Sequence, residues 1–124
     1  MAAPTGNHDD TTQYYVAWME QVEPAPEIEK TIDEIRQEHF AYLIDLETRG
    51  VLLAAGPFRD TDGSRHGAGM MIVRASSLAE ADAITAEEPY RKHGVRTHKV
   101  LPWQWREGCV HHTLYVKGGA FAIG

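Results

Sequence analysis

IEKTIDEIRQEHFAYLIDLETRG, residues 28–50, places Ile28, Ile32, Ile35, Tyr42 or Leu43, and Leu46 at the three-and-four spacing that lines one face of a helix. That face is expected to be buried, and His39 sits in the middle of it. An imidazole in such a place needs a hydrogen-bond partner, because burying an unpaired polar group costs roughly 1–3 kcal/mol. A satisfied core histidine and a functional one both meet that need, so the surrounding sequence has to separate them. Pro24 and Pro26 stand before the helix, Glu27 and Glu29 supply negative charge where it begins, and Gly50 suits the left-handed position that ends it after Arg49.

Ahead of this helix, QYYVAWME (Gln13–Glu20) alternates as a strand does, with Tyr14, Val16 and Trp18 on one face and Tyr15, Ala17 and Met19 on the other. Both faces are apolar, which points to a central strand covered on both sides. Behind the helix, Val51–Ala55 is a short apolar strand ended by Gly56-Pro57, and RDTDGSRHG is a loop. Gly69–Arg74 is the next strand. Ser76 or Ser77 caps a second helix, Leu78 to about Ala86, with Leu78, Ala81 and Ile84 or Thr85 turned inward. A short turn closes at Gly94, and a strand follows from Val95 to about Trp105, interrupted near Pro102.

The order strand, helix, strand, strand, helix, strand is the α+β, ferredoxin-like βαββαβ pattern, an antiparallel four-stranded sheet with both helices on one face. Its other face, expected to carry Trp18, Tyr14 or Tyr15, Met71 and residues of the closing strand, is too apolar to meet water. Packing two sheets face to face in a two-fold homodimer removes that problem. Residues 1–12 read as a flexible tail, 13–106 as the domain, and 107–124 as an extension with one further strand, Val110–Lys117. The small apolar end, GGAFAIG, reads as a tail that docks on a neighbour.

The chain has 124 residues, the size of one domain, and a net charge of −6 with both signs scattered. No basic stripe points to nucleic acid or to an anionic membrane surface. A single cysteine, Cys109, forms no internal disulfide, and the polar amino terminus lacks the pattern of a secretory signal, which together imply a cytoplasmic protein. No sequence motif asks for a metal: His111 and His112 are neighbours pointing to opposite faces of a strand, His93 and His98 lack ligand spacing, and His66 lies in a polar loop. No phosphate loop or nucleophile elbow occurs, and no cofactor is expected.

Three passages taken in order, EHFAYLIDLETRGVLLAAGPF (Glu38–Phe58), SSLAEADAI, and EPYRKHGV followed by KVLPW, resemble the YCII-related family. These are small dimeric α+β-barrel proteins similar to muconolactone isomerase, and the resemblance covers roughly Gln13–Trp105. It implies a dyad made of a helical histidine and the acid of an Asp-Pro-Tyr triplet. Carried onto this chain, the histidine is His39 and the acid is Glu88, before Pro89 and Tyr90. Glutamate replaces the family's aspartate, and Glu87 is a second candidate one residue earlier.

A carboxylate that accepts a hydrogen bond from one ring nitrogen fixes the tautomer and leaves the other nitrogen as a base near neutral pH. Such a base removes a carbon-bound proton next to a carbonyl, as an isomerase or an eliminating lyase requires. Substrate-binding candidates are Tyr15, Pro57, Phe58, Arg59 and Tyr90, with Phe58 stacking on the ligand and Arg59 holding a carboxylate. The expected substrate is a small carboxylated or cyclic molecule. The alternative function is a non-catalytic dimeric binding or accessory module, in which the histidine and the acid form a structural pair.

Overall fold

A computed structural model describes residues 13–109, 112–114, 116 and 121–123. Residues 1–12, read as a tail, lie outside these, as does part of the expected strand Val110–Lys117. The first strand, β1 (Gln13–Gln21), leads into the long helix α1 (Ile32–Thr48), then β2 (Leu52–Pro57) and β3 (Gly69–Ala75). Helix α2 (Leu78–Ala86), a single turn α3 (Pro89–Lys92) and β4 (Arg96–Trp103) complete the unit.

The four strands form one antiparallel sheet in the order β2-β3-β1-β4, with β1 in the centre. This is the ferredoxin-like arrangement that the sequence predicts. Tyr15, Ala17 and Met71 and Val73 from the sheet pack with Leu43 and Leu46 of α1 and Ala81 of α2 to make the core. Pro102 does not interrupt β4 as expected. The strand runs through it, opposite Tyr15, because β4 is an edge strand where a missing donor is tolerated.

Helix α1 starts at Ile32, four residues later than the stripe from Ile28 suggests. Thr31 is the reason: its hydroxyl accepts from the Glu34 amide while the Glu34 carboxylate accepts from the Thr31 amide, a capping box. Ile28 therefore lies outside the helix and Ile32 is exposed, while Ile35, Leu43 and Leu46 carry the buried face. In α2, Ser77 is the cap and Ala81 and Thr85 turn inward, but Leu78 is exposed.

Met71 is buried on the helix-covered side, opposite Ala17, so it does not belong to the open face. Its neighbour Met70, paired with Trp18, takes that place. Val16 opposite Leu101, and Tyr14 opposite Trp103, extend the same face across β4. Trp18, Met70, Leu101 and Trp103 are each between 37% and 44% exposed, a connected apolar surface on the side without helices. Beyond β4, the strands β5 (His112–Leu114) and β6 (Phe121–Ile123) pair with each other, so the expected tail contains a strand and neither segment joins the main sheet. The Val116 amide donates to Glu47 at 2.7 Å, which ties this extension to α1.

Candidate active site

His39 projects from the middle of α1, one turn before Leu43. Its partner comes from the junction of α2 and α3, where Glu88 is the N-cap of α3 and Pro89 occupies the first helical position. Proline fits there because its missing N–H would have no helical partner. One Glu88 oxygen, Oε2, accepts from the Arg91 amide at 3.1 Å, and the other, Oε1, lies 2.6 Å from His39 Nδ1. The carboxylate is 1% exposed, whereas the imidazole keeps 21%.

An ionised carboxylate can only accept, so a neutral ring that donates to one at this contact carries its proton on Nδ1 and its lone pair on Nε2. Nε2 makes no hydrogen bond among the described residues. Of the two adjacent acids, Glu88 is the one in contact with the imidazole, while Glu87 is exposed and lies 3.3 Å from Lys92.

The Tyr90 ring is 5.0 Å from the imidazole, and Phe40 flanks it at 5.6 Å. The Arg96 guanidinium lies over the Tyr90 ring, 4.1 Å from its centre. Tyr42, three residues after His39 on the same helix, donates its hydroxyl to the Ile84 carbonyl at 2.6 Å. Burial first, and the Glu88 carboxylate second, push that hydroxyl well above the ordinary tyrosine range. Sequence reading places Tyr42 on the buried stripe without this bond, since the partner is 42 residues away.

Two further networks flank the pair. Glu38 bridges Lys30 at 2.7 Å and His93 at 3.1 Å, and the Lys30 ammonium, then His93, hold its carboxyl below the usual range. On the far side of α3, His98 Nδ1 accepts from Arg91 Nε at 2.8 Å, and its Nε2 lies 2.7 Å from Asp82. Neither His93 nor His98 shows a spacing that announces these partners.

The remaining candidates divide between the two sides of the sheet. Tyr15 is in the core under α1, its hydroxyl bonded to Gln13. Pro57 ends β2, Phe58 packs on Trp18 with ring centres 4.5 Å apart, and Arg59 is exposed on the following loop. Phe58 and Trp18 border an open groove of about 420 Å³ that Glu20, Glu23 and His66 also line, on the face without helices. The structure thus joins His39, Glu88 and Tyr90, and sets Phe58 with Trp18. Among the described residues, no three His, Cys, Asp or Glu side chains converge to hold a metal ion, and no helix is long and apolar enough to cross a membrane.

The fold is shared with a solved structure, 5-chloro-2-hydroxyhydroquinone dehydrochlorinase (TftG) from Burkholderia phenoliruptrix AC1100, in complex with 2,5-dihydroxybenzoquinone. The likeness has a TM-score of 0.55 at 20% identity and covers 77% of this chain and 95% of that one. No curated protein matches the sequence. Residues 14–104, from β1 to the residue after β4, match the YCII-related domain, and the chain belongs to that family.

Proposed function

We propose that this protein is a cofactor-independent small-molecule enzyme in which His39 Nε2 removes and returns a proton while Glu88 fixes the ring. One observation carries the proposal: a fully buried carboxylate with both oxygens engaged, 2.6 Å from an imidazole that still reaches solvent. The reaction is an isomerisation or an elimination on a small carboxylated or cyclic substrate. Nε2 takes the proton from a carbon next to a carbonyl, and the electron pair left behind becomes an enolate. In an isomerisation the imidazolium returns the proton at another carbon, and in an elimination the enolate collapses with loss of the leaving group. Glu88 stays ionised beside the imidazolium and offsets its charge. The name of the structural neighbour, a dehydrochlorinase, supports the elimination form. The open apolar sheet face supports a homodimer as the working unit.

A non-catalytic module has one observation on its side. The Glu38–His93 contact is a second carboxylate–imidazole tie between α1 and the end of α3, and a tie of that kind is what the His39–Glu88 pair is in this reading. Proton exchange separates the two. Small lactones, keto acids and hydroxyquinones are incubated with the protein in D2O, and loss of C–H signal is followed by proton NMR. His39→Gln is expected to lower the exchange rate about 10²–10⁴-fold, the range for a positioned base. Unchanged exchange in that variant, or no exchange catalysed by the wild type on any member of the panel, favours the accessory module.

A further inference from the structure

The nine residues from Glu88 to Arg96 deliver three different chemistries to one place. Glu88 caps α3, Tyr90 follows two residues later, and the Val95 amide donates to the Tyr90 carbonyl at 2.8 Å, fixing the start of β4 against α3. Arg96 comes next, on the helix-covered side of β4, because it alternates in phase with Val100, which faces the buried Ala17. The guanidinium is only partly exposed and lies 4.1 Å from the centre of the Tyr90 ring. Among the described residues it has no carboxylate and no hydrogen-bond acceptor.

A half-buried arginine stacked on an aromatic ring keeps its planar fork of donors in a defined orientation, so little freedom is lost when it binds a planar anion. The same ring lies against His39, with centres 5.0 Å apart. The guanidinium carbon is therefore no farther from the imidazole centre than those two separations together, about 9 Å. A small ring or chain bearing one anionic group spans that distance. Arg59, the cation that the sequence offers for this purpose, is exposed on a loop beyond Phe58, which packs on the opposite side of the sheet.

We infer that Arg96 is the anion-binding residue of the His39 site and that the protein's ligand is a small organic carboxylate, gripped by the guanidinium through two parallel hydrogen bonds. The chemical meaning of that grip rests on the proton-transfer reading above: it holds the substrate's carboxylate while Nε2 works on a nearby carbon. The grip itself does not need turnover to be measured.

Sodium benzoate and its uncharged isostere benzamide are titrated into the full chain and followed by amide chemical shifts. The wild type is expected to bind benzoate at least about tenfold more tightly than benzamide, the worth of one charge-assisted bidentate contact. Arg96→Gln is expected to bring the two ligands to the same affinity. Arg96→Lys, which keeps the charge and loses the fork, is expected to weaken benzoate several-fold and leave benzamide unchanged, and it serves alone where Arg96→Gln does not fold. Equal benzoate affinity in wild type and variants, or a wild type that does not distinguish benzoate from benzamide, overturns the inference. A protein that selects benzoate through Arg96 but exchanges no carbon-bound proton keeps this assignment and loses the catalytic one.

Discussion

One methylene separates Glu88 from the aspartate of the family's triplet, and its two oxygens face different duties. Oε2 caps a helix turn in its own segment while Oε1 crosses to α1 and the imidazole. Sequence leaves Glu87 and Glu88 open because neighbouring residues differ only in direction, and the N-cap with Pro89 behind it sets that direction. The bonds of His93 and His98 were not legible, since their partners lie 55 and 16 residues away and depend on how the elements pack. Tyr42 carries a pH consequence. Its folded hydroxyl holds its proton above the ordinary value of 10.0, at which the unfolded chain releases it. Stability from this group is therefore full below about pH 10 and is lost as the pH rises beyond it. Tyr42→Phe is expected to cost about 0.5–1.5 kcal/mol near neutral pH through loss of the bond to Ile84, and to flatten the alkaline fall. Urea denaturation at neutral and alkaline pH measures both.

At the scale of the element, periodicity found the four strands and the two longer helices of the sheet unit, while α3 was read as a turn, and capping chemistry corrected the helix ends. The stripe extends back to Ile28 by spacing alone, but Thr31 and Glu34 stop the helix at Ile32. That signal stands in the sequence as a threonine followed three residues later by a glutamate, and it outweighs one apolar residue in phase. Thr31→Ala is expected to destabilise the protein by about 1 kcal/mol, within the ordinary range for a lost cap, as read by the urea midpoint. A larger loss would mean that the cap also positions Lys30, which bridges Glu38 one residue before His39. The pairing of β5 with β6 was not legible, because the glycine-rich, short-chain composition of the end carries no strand alternation.

At the scale of the molecule, the order of elements was enough for the ferredoxin-like sheet, but not for every residue on its open face. Met70 and Met71 are adjacent and chemically identical, so only the register opposite Trp18 and Ala17 tells which is outside. The resulting surface of Trp18, Met70, Leu101 and Trp103 is the expected dimer contact. Leu101→Lys puts a charge in its middle, and sedimentation is expected to show a dimer for the wild type and a monomer for the variant. A wild type that sediments as a monomer removes the dimer from the account. Under the proposed function, helix side and open side have separate duties, proton transfer at His39 and association across the sheet.

All of the proposed chemistry depends on which nitrogen of His39 is free. Long-range proton–nitrogen NMR of the labelled protein, with His39 assigned by loss of its signals in His39→Gln, reports this at a pH where the ring is neutral. The expected result is a protonated Nδ1, bonded to Glu88, and an unprotonated Nε2 available as the base. A ring protonated on Nε2 would contradict the account, because Nδ1 faces a carboxylate and no lone pair would remain for a substrate proton.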